Sequence, residues 1–225
     1  LTRLWSTTLG TPFTAPVKLP HHCESCLTST AIRRHLAEHG IVTTRVGQRT
    51  HVDASGPHAT DIFWGARYRL TFRDDFSRVK MIFPVPDRTW ASAQAAFLEY
   101  AAFIHYHSGN LIAGVTWDNP REYVGQGALE FCDEAAIHRL NAIPYEPRTN
   151  AGAESVWRHT DPHVRAVLHH AVADPDDRRR FFMLASVHQC NFVENRLPTS
   201  SLPSHVAPMT VLCGGVVQSL EHSRI

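Results

Sequence analysis

Three acidic residues, each in its own local setting, carry the chemical content of this chain. They are Asp53 in His51-Val-Asp-Ala-Ser-Gly-Pro57, Asp118 in Val115-Thr-Trp-Asp-Asn119, and Glu154 in Asn150-Ala-Gly-Ala-Glu154. The gap between the last two holds 35 residues. Carboxylates set this way suit a site that holds two divalent metal ions against a phosphodiester. Such ions lie about 3.5–4 Å apart and stabilise both the attacking and the leaving oxygen. Magnesium needs hard oxygen ligands and accepts few of them, because it keeps several waters. With 21 acidic residues in 225, three carboxylates alone decide little. Their surroundings decide more.

Other side chains offer less. Cys23 and Cys26 have the two-residue spacing with which two thiolates can grip one zinc ion, but a second pair of ligands is required. Cys132, Cys190 and Cys213 read as ordinary buried thiols. Five cysteines are too few and too scattered for a disulfide framework, and they suggest a reducing compartment. Asp74 and Asp75 begin Asp-Asp-Phe-Ser77, which reads as a hairpin turn using local side-chain bonds rather than as a metal site. His159 and His163 are four apart, yet Pro162 stands between them. Arg33, Arg34, Arg45 and Arg49 could meet phosphates as sequence-independent anchors. Arg178 to Arg180 could do the same, although Asp174, Asp176 and Asp177 beside them fit a solvated helix start equally well.

The elements that must position the three acids follow from hydrophobic periodicity. Thr50 to Ser55 reads as a strand closed by Gly56-Pro57. Tyr68, Leu70 and Phe72 alternate with polar residues, the pattern of a half-buried strand, and Val79 to Val85 supplies a third strand after the turn. Trp90, Ala93, Phe97, Ala101 and Ile104 share one helical face, with Thr89 as N-cap. Leu111 to Trp117 reads as a buried strand, placing Asp118 at its carboxyl end, where open α/β sheets tend to bind ligands. Leu129 to Leu140 is expected as a helix, Ala142 to Pro144 as a last strand, and Val164–Ala173 and Arg178–Glu194 as further helices. The order β-β-β-α-β-α-β-α-α fits a mixed sheet flanked by helices.

A chain that is 43% apolar has material for a core, and a net charge of +1 neither announces nor excludes a nucleic-acid partner. No window of about 18 apolar residues suggests a membrane span. The start lacks an initiator methionine and the pattern of a secretion signal, so the chain reads as a piece of a longer polypeptide.

The motifs, taken in order, resemble a known family. His51-x-Asp53-x-x-Gly-Pro57, Asp74-Asp-Phe-Ser-Arg78, Asp118-Asn-x-x-Glu-Tyr123, Asn150-x-x-x-Glu154 and Asn195-Arg-Leu-Pro198 resemble integrases of copia-type retrotransposons, over roughly residues 20–215. The resemblance implies a ribonuclease-H-like α/β fold: a three-strand meander plus two further strands, flanked by helices. It implies Asp53, Asp118 and Glu154 as ligands of magnesium or manganese, and double-stranded DNA as substrate; Arg33, Arg34, Arg45, Arg49 and Asn150 are expected to meet that nucleic acid. It also implies a homo-oligomer working in the nucleus, released from a cytoplasmic polyprotein, and an amino-terminal zinc module of which Cys23 and Cys26 would be a remnant. On this basis residues 1–45 are expected to be that remnant and a linker, 46–200 the catalytic core, and 201–225 an irregular tail.

Several residues depart from the family's pattern. Pro120 stands near Asp118, Ala151 and Ser155 flank Glu154, and Pro162 falls eight residues beyond Glu154, where a helix should be continuous. Proline inside a helix costs about 3 kcal/mol or forces a kink. Thr160-Asp161-Pro162 would suit a fresh helix start, with Asp161 as N-cap. These departures define the alternative: an inactive integrase relic that retains the fold and weak DNA binding.

Overall fold

The computed structural model describes residues 42–117, 125–139 and 151–215, the stretch 151–154 by its backbone alone. Cys23, Cys26, Arg33, Arg34, Asp118 and Asn150 lie outside the described residues, as does the strand expected at 142–144.

Strands β1 (Thr50–Ser55), β2 (Tyr68–Asp74) and β3 (Lys80–Val85) form the expected antiparallel meander. Gly56 ends β1 at φ +133, and a Cβ there would sit 2.7 Å from the Arg67 carbonyl oxygen, so only glycine fits the turn. The next turn is closed by Asp74. Its Oδ2 accepts from the Ser77 N–H at 2.6 Å and hydroxyl at 2.7 Å, and its Oδ1 accepts from the Gly47 N–H at 2.8 Å. The Asp-Asp-Phe-Ser motif is therefore turn chemistry, as its residues suggested.

Helix α1 (Trp90–Ser108) starts where Thr89 accepts a hydrogen bond from the Ser92 N–H and stops at Gly109 in the left-handed region. Its buried face is Ala93, Ala96, Phe97, Tyr100 and Ile104, at three- and four-residue steps. Strand β4 is Gly114–Trp117, shorter than expected, because Leu111 is exposed. Helix α2 covers Gln126–Glu134, not 129–140. The chain turns out of it through Ala136 at φ 52, and His138–Arg139 becomes β5. The five strands lie in the order β3-β2-β1-β4-β5, with β1, β4 and β5 mutually parallel.

Helix α3 (Ala151–Ala171) runs unbroken through Pro162. The expected fresh start at Asp161 is absent, and the reason is tertiary. Asp161 is ion-paired to buried Arg69 on one side of the helix, and Thr160 is bonded to Glu194 on another. His163, just past the proline, also meets Glu194, so residues on both sides of Pro162 are tied to the same partner. Helix α4 (Pro175–Val187) is capped by Asp174 and continues as a π-helical segment, His188–Glu194. The segment beyond 200 is not wholly irregular. Pro208–Leu212 forms a short α5 whose Met209 and Leu212 enter the main core.

The sheet has two covered faces. Val52, Leu70, Phe72, Phe83, Val85 and Val115 pack against α1 in the main core. On the opposite face Ile82 packs with Val156 of α3 and Cys190, with Trp157 and Val187 against them. Burial pushes the Cys190 thiol up to about 12, so it is an inert filler.

Candidate metal centre

Asp53 lies on the α3 face of β1. Val52 and Ala54 point into the main core, so period-two alternation sends Asp53 and Ser55 the other way. The parallel ladder pairs Val52 with Trp117, and these residues immediately precede Asp53 and Asp118 in the chain.

Asp53 is half-buried and oriented by two donors. The Ala54 N–H donates to Oδ1 at 2.8 Å, and the Trp157 indole N–H donates to Oδ2 at 2.8 Å. Trp157 sits three residues after Glu154 on α3, so the two positions are neighbours on one helical stripe. The same stripe reaches Asp161. Its carboxylate binds the Arg69 guanidinium at 2.9 and 3.2 Å, and Arg69 also donates to the hydroxyls of Ser186 at 2.9 Å and Ser55 at 3.3 Å. Arg69 is fully buried and meets two rings, 4.2 Å from the centroid of Trp157 and 4.9 Å from that of Phe182. Neither Trp157 nor Arg69 was singled out from the sequence. The available signal was the three- and four-residue spacing of Glu154, Trp157 and Asp161, visible only once α3 is known to be continuous.

The donor chemistry of Asp53 fits a hard divalent cation. A carboxylate has about four lone-pair sites, and its anionic oxygens are the hard donors that magnesium takes. Among the described residues no group of three metal-ligating side chains occurs, and of the three candidate ligands only the Asp53 side chain belongs to those residues.

The remaining motif residues serve the frame. His51 is buried and faces Asp75 at 3.7 Å. Burial lowers its pKa, against the upward pull of the Asp75 hydrogen bond, so the ring is neutral at neutral pH. Asn195 of Asn-Arg-Leu-Pro donates to the Lys80 carbonyl and accepts from the Lys80 N–H, while Asn191 does the same for Ile82. Two amides thus satisfy the outer edge of β3, which would otherwise offer unpaired backbone groups. Arg45 donates to the carbonyls of Val46 and Leu111, and Arg49 donates to the Thr116 hydroxyl. His159 and His163 do share one continuous helix, but each has its own partner, the Ser155 carbonyl and Glu194.

Two clefts flank α3. One, of about 330 Å³, borders Ser155 and His159 and is lined by Arg73, Arg78 and Lys80 with the hydroxyls of Thr199, Ser200 and Ser201. The larger, about 480 Å³, lies at the α3–α4 elbow against His58, Arg165 and Phe182, and Asp53 lines neither cleft.

The fold can be matched to solved structures. The chain superposes on the catalytic core domain of the HTLV-2 integrase, solved in complex with magnesium in a trimeric form. The TM-score is 0.53 at 14% identity, covering 73% of this chain and 95% of that one. The chain has the fold of an integrase catalytic core. A second integrase-type neighbour is the simian T-cell lymphotropic virus intasome in complex with the PP2A regulatory subunit B56 gamma. There the TM-score is 0.60 at 15% identity, over 85% of this chain and 63% of that one. In sequence, the chain is 27% identical over 116 residues to the retrovirus-related Pol polyprotein from transposon TNT 1-94 of Nicotiana tabacum. That stretch is 52% of the chain and 9% of the polyprotein, so the chain spans a small part of this relative. No protein-family model matches. The resemblance to retrotransposon integrases read from the motifs is borne out in fold and in sequence.

Proposed function

We propose that this integrase-type core joins the 3′ ends of an element's DNA to target DNA by phosphodiester transfer, at a site formed by Asp53, Asp118 and Glu154. The observation that carries this reading is the placement of Asp53. It sits beside the end of β4, on the face covered by α3, and is hydrogen-bonded to the residue one turn beyond Glu154. Two divalent ions held by these carboxylates would supply charge stabilisation for the attacking and leaving oxygens. The chain's own residues set the geometry. Asp53 is fixed by Ala54 and Trp157, and the Trp157 bond ties α3, which carries position 154, to β1. In the joining step a 3′-hydroxyl oxygen bonds to a target phosphorus and loses its proton, while the opposing 3′-oxygen leaves and gains one.

Double-stranded DNA is the partner this chemistry requires, and Arg73 and Arg78, with the hydroxyls of Thr199, Ser200 and Ser201 in the cleft beside α3, offer contacts for its phosphates. A homo-oligomer acting on paired ends in the nucleus completes the reading. Among the described residues no helix is long and apolar enough to cross a membrane. One argument for an inactive relic is a helix broken at Pro162, and α3 is not broken.

The test is a DNA nicking and strand-transfer assay with Mn²⁺, comparing the chain with Glu154→Gln. Joining that disappears in the variant is the expected result. A folded, DNA-binding chain that joins nothing would point to the relic.

A further inference from the structure

We infer that Trp157 is a positioning residue of the Asp53 site: its indole N–H holds one Asp53 carboxylate oxygen, and the buried Arg69–Asp161 pair holds the indole. The inference rests on the proposed reading of Asp53 as a metal ligand.

A terminal carboxylate torsion is soft, with a broad, roughly two-fold preference, so a lone aspartate does not fix its own plane. Here two donors from different elements address different oxygens, Ala54 from β1 and Trp157 from α3, both at 2.8 Å. The indole N–H is a donor only, so it cannot reverse its role, and it brings no charge to oppose a cation. A lysine in its place would compete with the metal. Tryptophan orients the carboxylate and leaves its charge available.

The indole is itself fixed. Arg69 lies 4.2 Å over its ring, and the guanidinium makes four hydrogen bonds, to Asp161 twice, Ser186 and Ser55. The Phe182 ring lies 4.9 Å from the same guanidinium. Arg69 belongs to β2, pairs with Ser55 of β1, and reaches α3 and α4, so the stack ties four elements together. It anchors α3 to β1 at two points one turn apart, Trp157 to Asp53 and Asp161 through Arg69 to Ser55. Extended by one turn toward the amino end of α3, the same stripe fixes the level of position 154. One cluster thus sets both the plane of Asp53 and the station of Glu154. A ring that merely filled space would need no donor aimed at a carboxylate.

The experiment is ¹H–¹⁵N spectroscopy of the indole region of the full chain, which has five tryptophans. Trp157→Phe assigns the Trp157 signal; contacts to Arg69 assign it if that variant folds poorly. In Asp53→Ala the Trp157 indole proton is expected to move while the other indoles stay in place. An unmoved Trp157 signal would overturn the inference. Magnesium is then titrated into the unmodified chain. A saturable shift at Trp157 that is lost in Asp53→Ala is expected. If Asp53→Ala moves the indole but magnesium does not, the contact is real and the metal reading fails, which ends the positioning role. Mn²⁺ affinity, read by electron paramagnetic resonance, should fall at least about tenfold in Trp157→Phe, the usual cost of losing a partner behind a metal ligand. Unchanged affinity in a folded variant would also overturn it.

Discussion

The two faces of the sheet are built from different materials. Toward α1 the contacts are rings and aliphatic chains. Phe72 stacks on Tyr100 at 4.9 Å and meets Phe83 and Phe97 edge-on at 5.5 and 6.0 Å. Toward α3 and α4 the same three strands present Arg69, Asp53 and Lys80, joined to Asp161, Trp157 and Glu194. Apolar packing tolerates volume-conserving exchange at small cost. A buried polar cluster fixes directions, and it fails when one member is removed. The first face holds the fold; the second aims the candidate site.

That contrast can be broken by mutation. Arg69→Ala strips the cation from Asp161 and the platform from Trp157, and it should cost about 3–5 kcal/mol in urea unfolding. Phe72→Ala on the opposite face should cost a similar ~3–5 kcal/mol. The discriminating readout is the Trp157 indole signal, which should shift in the first variant and hold in the second. Equal shifts would mean that the faces are not separable.

Acid should act on the α3 face. Glu194 is buried, which alone would raise its pKa, but hydrogen bonds from His163, Lys80 and Thr160 and the Lys80 charge outweigh burial and bring it down to about 2. A carboxyl depressed in the folded state contributes stability that is complete above its unfolded pKa near 4.5 and is lost as pH falls toward 2. This contribution is about 2–3 kcal/mol, and Glu194→Gln should flatten that part of the stability–pH curve. A curve of unchanged shape would assign the acid sensitivity elsewhere. Asn195→Ala should cost about 1–3 kcal/mol by leaving Lys80 backbone groups at the β3 edge unsatisfied, measurable as faster hydrogen exchange there.

The smallest stability effect separates the two faces most cleanly. Arg69→Met together with Asp161→Leu replaces the ion pair by apolar volume, which in buried pairs is often near neutral. Stability within about 1 kcal/mol of the parent, combined with a displaced Trp157 signal, would show that this pair serves geometry rather than stability.

The sequence made the first face legible and left the second obscure. The meander, the Thr89 cap and the apolar stripe of α1 follow from periodicity because each apolar residue there does what its type suggests. Strand β2 reads as half-buried because Arg69, Thr71 and Arg73 alternate with Leu70 and Phe72. In the structure Arg69 and Thr71 are fully buried too. An arginine hides in a core only when its partners are known, and Asp161, Ser186 and Ser55 lie up to 117 residues away. The same long-range contacts keep α3 intact through Pro162, which local propensity could not foresee. Asp53 was legible as a candidate from its motif; the indole that orients it was not.

Asp53 is either the hub of a metal centre or a framework carboxylate. Crystals of the chain soaked in Mn²⁺, with anomalous diffraction recorded at the manganese edge, address this directly. Two peaks about 3.5–4 Å apart, both touching the Asp53 carboxylate while Trp157 keeps its hydrogen bond, are the predicted result. Saturating manganese with no peak at Asp53 would contradict it.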